Sequence, residues 1–148
     1  MQESIRPVLE GQKTLVVGVA NDQSIAYGCA KAFHSAGAEL AITWLNERAQ
    51  AHVEPLVRDV GATITAPLDV SVPGQLEAVF ELIRTRWGKL DSLVHSIAFA
   101  PKEDLQGGLL ECSAARFGKA MDVSCHSFIR MGITGGTVYI DGGTNIVA

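Results

Sequence analysis

The chain has 148 residues, of which 47% are hydrophobic and 19% are charged. That length suits a domain with a sizeable core, and the composition is too apolar for a disordered chain. The formal net charge of −4 argues against nucleic acid as a partner. No apolar run approaches the roughly 20 residues that span a bilayer, and no signal peptide is recognisable, so we expect no membrane association and no secretion.

Cysteine and histidine spacing gives no sign of a disulfide framework or a metal site. The cysteines are Cys29, Cys112 and Cys125, and none lies in a C-x-x-C pair. An odd number does not suit a disulfide scaffold, so we expect reduced thiols in a cytoplasmic protein. The histidines on predicted helices lack cysteine or carboxylate partners at metal-ligand spacing, so we predict no metal.

The first predicted unit is a strand, a glycine turn and a helix. Thr14–Val19 is rich in β-branched and aliphatic residues, which is typical of a strand buried on both faces. Gly18 lets the backbone turn sharply and approach a ligand. Ser24 is the predicted N-cap of a helix that runs to about Ala36, and the positive end of such a helix favours a phosphate. The pattern therefore indicates a dinucleotide site.

The rest of the chain alternates predicted strands and helices. In chain order we predict a strand Glu39–Trp44, a helix Asn46–Val60, a strand Thr63–Ala66, a helix after Ser71 that ends at Gly88, a strand Leu90–Ser96, a loop through Pro101 and Gly107-Gly108, a helix from near Ser113, and a strand Thr137–Ile140. Pro55 predicts a kink or a break in the second helix. Gly132 to Gly136 is interpreted as the entry to the last strand.

Strands that alternate with helices predict βαβ units, right-handed crossovers and a parallel sheet. We therefore expect an α/β protein, a three-layer Rossmann fold with a doubly wound parallel sheet, forming a single domain over residues 1–148. The ligand of such a sheet lies beyond the carboxyl ends of the strands. Gly18, Leu45, Asp69 and Ser96 each follow a predicted strand, so we expect them to line one edge of the sheet.

Four motifs carry a resemblance to a known family. They are Gly18-x5-Ser24-Ile25-Ala26-x-Gly28, Asp69-Val70, His95-Ser96-Ile97-Ala98-Phe99-Ala100-Pro101 and Thr137-Val138-Tyr139-Ile140-Asp141-Gly142-Gly143. In this order they resemble the enoyl-acyl carrier protein reductases of bacterial fatty-acid synthesis, which are divergent short-chain dehydrogenase/reductases. The resemblance implies reduction of a trans-2-enoyl thioester on acyl carrier protein with NADH, and it implies a homo-oligomer, a tetramer, formed through the helix that follows Ser113.

The resemblance also implies roles for individual residues. The implied cofactor-binding residues are Gly18, Ala20, Ser24, Ile25, Leu45, Asp69, Val70, Ser96, Ile97 and Ala98. The Asp69 carboxylate would accept from the adenine amino group, and Ser24 would face the pyrophosphate. Phe99 and Ala100 would border the acyl pocket. The reading of Asp69 as a simple cap of the third helix stays open, as does packing of Trp44 against either the adenine or the sheet.

Cofactor choice depends on the residues after the second strand. A 2′-phosphate favours a cation at that edge, and a free 2′-hydroxyl does not. Leu45 and Asn46 offer no cation, which favours NADH over NADPH. Arg48 is the residue that could reverse this preference.

One part of the family pattern is missing. The family stabilises the enolate with a Tyr hydroxyl and positions the cofactor with a Lys, at Tyr-x6-Lys, but this chain has only Tyr27 and Tyr139, without a Lys at that spacing. We assign no catalytic residue, and we expect a segment to be omitted or deleted between Met131 and Gly132. The alternatives are another short-chain dehydrogenase/reductase acting on a carbonyl or enone, and a truncated, non-catalytic nucleotide-binding module.

Ser124 stands at the position where the superfamily has an Asn in its fourth helix.

Overall fold

Residues 7–135 are described here from a computed structural model. They fall into two compact units, one ending at Ile97 and the other beginning at Ala98. The predicted last strand, Thr137–Ile140, and its motif through Gly143 lie outside the described residues.

The first unit is a parallel sheet with helical crossovers. Its elements are β1 (Lys13–Val17), α1 (Ile25–Ser35), β2 (Glu39–Trp44), α2 (Glu47–Asp59), β3 (Ile64–Pro67), α3 (Gln75–Trp87) and β4 (Ser92–His95). The strand order is β3-β2-β1-β4, with every pair parallel. The chain therefore builds outward from β1 in one direction and then crosses to its other side, which is the doubly wound arrangement of a Rossmann fold. The predicted fold class is confirmed.

The core lies between the two central strands and the first two helices. Val16, Leu40 and Ile42 are fully buried and lie on one face of the sheet because their strands pair in register. Trp44 belongs to the same cluster and is only 8% exposed, so it is a core residue. The hydroxyl of Tyr27 donates to Asp59 Oδ2 at 2.5 Å, which joins α1 to the end of α2.

Two predictions for the helices of this unit need correction. The second helix is one continuous element, Glu47–Asp59, with Pro55 inside it, so the proline does not break it. Pro55 is exposed, and burial of Val53 within the helix and of Val60 at its C-cap offsets the cost of the proline. The third helix begins only at Gln75, because Gly74 adopts a left-handed conformation with φ 85° and serves as its N-cap.

The second unit is helical over its described residues. It contains α4 (Lys102–Gln106), a 3₁₀ turn Leu109–Glu111, α5 (Ala114–Met121), a π-helical turn Asp122–His126 and α6 (Ser127–Gly135). The predicted loop through Pro101 thus contains a short helix and a turn.

The predicted helix near Ser113 is present. Ser113 is its N-cap, and its hydroxyl accepts from Arg116 N at 3.3 Å. The helical path continues past Met131 to Gly135, so the interpretation of Gly132 to Gly136 as the entry to a strand is wrong up to Gly135. An isolated glycine inside a helix costs only about 1 kcal/mol, too little to end it by itself.

Candidate functional site at the carboxyl edge of the sheet

The loops that leave the strands are tied together by main-chain hydrogen bonds. Ser96 N donates to Val17 O at 3.0 Å, and Val19 N donates to Thr43 O at 3.1 Å. On the outer side of β2, Leu68 N donates to the carbonyl of Trp44 at 2.7 Å. These bonds hold the carboxyl ends of the strands in fixed positions, at the edge where parallel α/β sheets bind ligands.

Gly18 lies where the loop after β1 touches the end of β4. Its φ is 99°, a conformation that L side chains rarely adopt. A Cβ at this position would lie 2.3 Å from Ser96 O and 2.7 Å from Ile97 Cγ2. Only glycine therefore allows the two loops to meet.

The start of α1 is shaped by an asparagine that the sequence analysis did not select. Asn21 Oδ1 accepts from Gln23 N at 2.9 Å, and Asn21 O accepts from Ser24 Oγ at 2.7 Å. Asn-Asp pairs are common in such turns, so the signal was present in the sequence. Ser24 stands at the predicted N-cap position of the 11-residue helix but makes no capping hydrogen bond. The first amides of α1 thus have no side-chain cap, and the positive end of the helix stays available to an anion.

Asp69 follows β3 and organises its own turn. Asp69 Oδ1 accepts from Ser71 N at 2.8 Å, and Asp69 N donates to Gln75 Oε1 at 2.7 Å. The reading of Asp69 as the cap of α3 is wrong, because Gly74 holds that position. Among the described residues, none donates to Asp69 Oδ2, so this oxygen can accept from a ligand. Val70 is buried beside it.

Two apolar side chains are exposed at this edge. Ile25 is 78% exposed at the start of α1, and Leu45 is 57% exposed after β2. Asn46 is engaged as the N-cap of α2, where its side chain accepts from Ala49 N at 3.2 Å. Arg48 lies in the first turn of α2 and is exposed.

The predicted site residues are thus distributed over both units. Those of the first unit all follow the carboxyl ends of strands: Gly18, Ala20, Ser24, Ile25, Leu45, Asp69, Val70, Ser96 and Ile97. Ala98, Phe99 and Ala100 belong to the second unit, where Phe99 is 43% exposed. The structure gives the positions of these residues, and their roles in binding stay predictions.

Neither tyrosine offers a proton donor within the described part of the chain. The Tyr27 hydroxyl is committed to Asp59, and this hydrogen bond, with burial, raises the pKa of Tyr27 above its ordinary value. Tyr139 lies outside residues 7–135. Burial lowers the pKa of His95, which favours its neutral form at the end of β4.

Residues 7–135 contain no group of three or more His, Cys, Asp or Glu side chains that could hold a metal ion. No helix in this range is both long enough and apolar enough to cross a bilayer.

The sheet order and the helical crossovers define an α/β protein of the Rossmann class. The sequence pattern of the family described as enoyl-(acyl carrier protein) reductase matches residues 18–132. The chain belongs to that family, as its motifs suggested.

Curated relatives and solved structures agree with this assignment. The chain is 39% identical over 137 residues to the NADH enoyl-acyl-carrier-protein reductase 1 of Rhizobium meliloti, covering 93% of the chain and 50% of the relative. It is 40% identical over 124 residues to the NADH reductase FabI of Aquifex aeolicus, covering 84% and 46%. A reductase from Anaplasma phagocytophilum, solved in complex with NAD, superposes with a TM-score of 0.82 at 38% identity, over 86% of the chain and 49% of that structure. The chain spans about half the length of the relatives it matches.

Proposed function

We propose that this chain supplies the NADH-binding part of a reductase that converts a trans-2-enoyl-acyl carrier protein into the saturated acyl-acyl carrier protein. The observation that carries the proposal is the Gly18 turn, which packs against Ser96 and Ile97 and leaves room for no side chain. Support comes from the family match over residues 18–132 and from relatives that are named NADH reductases.

The residues at the sheet edge fit a dinucleotide. The uncapped start of α1 at Ser24 can accept the pyrophosphate, and Asp69 Oδ2 can accept from an adenine amino group. The exposed side chains of Ile25 and Leu45 offer apolar surface to the flat adenine ring. Bound NADH would supply the hydride that is added to the β-carbon of the enoyl thioester.

The same edge supports NADH over NADPH. Leu45 has no charge, and the Asn46 side chain is occupied by its hydrogen bond to Ala49 N. Arg48 is the nearest cation after β2 in sequence and lies on the exposed surface of α2. We expect a lower Kd for NADH than for NADPH, measured by nicotinamide fluorescence. The Arg48→Ala variant should bind NADH with an unchanged Kd.

The second candidate is a nucleotide-binding module without turnover. It is favoured by the hydrogen bond between Tyr27 and Asp59, which withholds the tyrosine hydroxyl from an enolate.

We propose that the chain is part of a single Rossmann domain whose sequence is interrupted between Met131 and Gly132. The Tyr and Lys of the family then belong to the missing stretch.

One experiment separates the candidates. The purified protein is weighed by mass spectrometry and titrated with NADH, and turnover is then assayed with crotonyl and acetoacetyl thioesters. A mass above that of 148 residues with crotonyl reduction supports the enoyl reductase. Reduction of acetoacetyl thioester alone supports a carbonyl reductase. NADH binding without either activity, at the mass of 148 residues, supports the binding module. Absence of NADH binding contradicts the proposal.

We further propose a cytoplasmic homo-oligomer, a tetramer that associates through α5 and α6. Phe117, Met121 and Ile129 lie at intervals of four or eight residues and are 60%, 43% and 40% exposed. Residues so spaced share one face of a helix, although the π turn shifts this register locally. Light scattering should give a multiple of the chain mass that Met121→Glu reduces. Val8→Glu, at an exposed valine far earlier in the chain, is the matched control.

The free cysteines support the location, since Cys29, Cys112 and Cys125 form no disulfide in the described residues. Acyl carrier protein bearing the enoyl thioester is the proposed partner.

A further inference from the structure

A hydroxyl in the helical stretch of the second unit holds the backbone of the segment that follows β4. Ser124 Oγ accepts a hydrogen bond from Phe99 N at 2.9 Å and donates one to Phe99 O at 3.2 Å. The two residues are 25 positions apart in the chain. One hydroxyl therefore satisfies both main-chain groups of a single loop residue, which a serine can do because it both donates and accepts.

The direction of this side chain is not the usual one for a helical serine. Ser127, three residues later, shows the usual behaviour, since its Oγ donates to Val123 O of the preceding turn at 2.7 Å. Ser124 instead bonds outside its own helix. It lies in the π turn Asp122–His126, and such turns inserted between α-helices occur often at functional sites.

The contact restrains a loop that has little else to hold it. Residues 96–101 have no regular secondary structure, so Phe99 has no strand or helix ladder to satisfy its amide. The ring of Phe99 is 43% exposed, so packing fixes it only in part. The two hydrogen bonds to the Ser124 hydroxyl therefore restrain the backbone at Phe99.

We propose that Ser124 is a positioning residue for the enoyl group. It fixes Phe99, and with it Ala100, which are the two residues that the family resemblance places at the border of the acyl pocket. The inference rests on that function for the identity of the ligand, whereas the contact between Ser124 and Phe99 stands on geometry alone.

Amide hydrogen exchange of the full chain tests the contact. Ser124→Ala should speed exchange at the Phe99 amide about five- to tenfold, because that amide loses its acceptor. Ser124→Thr keeps the hydroxyl and should restore slow exchange. Ser127→Ala removes a hydroxyl from the same helical stretch and should leave Phe99 unchanged. Unchanged exchange at Phe99 in Ser124→Ala would overturn the proposal.

Ligand binding tests the role. In the presence of NADH, Ser124→Ala should raise the Kd for crotonyl-coenzyme A about fivefold, with the Kd for NADH unchanged, and Ser124→Thr should recover the lower value. Faster exchange at Phe99 with unchanged crotonyl affinity refutes the positioning role. If the wild-type protein binds no NADH, the proposed function fails and the role in enoyl binding fails with it, while the exchange measurement still decides whether the contact exists.

Discussion

Replacement of Gly18 by alanine tests whether the turn after β1 is built around the absence of a side chain. The new Cβ would lie 2.3 Å from the Ser96 carbonyl oxygen and 2.7 Å from Ile97 Cγ2. The first contact is with main chain, which cannot rotate away as a side chain can. The turn must therefore move away from β4, or the Ser96 backbone must shift.

The expected cost has two parts. An L residue with positive φ costs about 1–2 kcal/mol, and overpacking against a fixed neighbour costs about 1–3 kcal/mol. Gly18→Ala should thus lower the free energy of unfolding by about 2–5 kcal/mol, a large share of the roughly 5–15 kcal/mol that stabilises a typical domain. Where the variant still folds, the displaced turn should raise the Kd for NADH at least about tenfold, which corresponds to 1.4 kcal/mol of binding free energy.

Chemical denaturation followed by circular dichroism measures the first effect, and nicotinamide fluorescence measures the second. Gly28→Ala is the matched control, because a Cβ at Gly28 meets nothing within 4 Å. Gly28 also lies inside α1, where alanine stabilises a helix by up to about 1 kcal/mol relative to glycine. The steric argument is wrong if the free energy of unfolding of Gly18→Ala lies within about 0.5 kcal/mol of the wild-type value and the variant binds NADH equally well.

Three further substitutions probe the first unit. Tyr27→Phe removes the hydrogen bond to Asp59 and should lower the free energy of unfolding by about 1 kcal/mol in urea denaturation, whereas Asp59→Asn, which keeps an acceptor, should cost less. Pro55→Ala restores a helical N–H in α2 and should raise the free energy of unfolding by about 1–3 kcal/mol, seen as a higher urea midpoint. A lower midpoint would show that the proline is compatible with the helix as it stands. Because burial lowers the pKa of His95, the folded state favours the neutral ring, so stability is full above the ordinary value of 6.5 and falls as the pH drops below it. His95→Gln should show a shallower loss of stability between about pH 7.5 and 5.5, and an equal slope in both proteins would exclude the imidazole as the cause.

The sequence predicts correctly those elements whose ends are set by residues that are neighbours in the chain. The bounds of β2 are as predicted, Glu39–Trp44, because an apolar run there is bounded by Gly37 and by the polar residues after Leu45. The parallel, doubly wound sheet followed from the alternation of strands and helices together with the handedness of crossovers. The edge positions of Gly18, Leu45, Asp69 and Ser96 followed from the rule that ligands lie beyond the carboxyl ends of strands. The other five edge positions of the first unit came from the family resemblance.

Features that depend on contacts between distant residues were not predictable in this way. The late start of α3, at Gln75, arises because Gly74 adopts a left-handed conformation, and a hydrogen bond from Asp69 N to Gln75 Oε1 spans the turn before it. Ser124 and Phe99 meet only when the second unit folds, and the residue type alone gives no sign of its partner. Neither Pro55 nor Gly132 ends its helix, since both helices continue through these residues.

Cofactor recognition and chemistry are encoded in different ways in this chain. The proposed pyrophosphate and adenine contacts lie at the start of α1 and on the Asp69 carboxylate after β3, within a unit that has its own buried core. A proton donor for an enolate needs one side chain at one place, and Tyr27 is engaged with Asp59 instead. A chain of about half the length of its relatives can therefore contain the proposed nucleotide site without the Tyr and Lys that the family resemblance implies for catalysis. NADH affinity, and not turnover, is accordingly the property by which the site proposed for residues 7–135 should be judged.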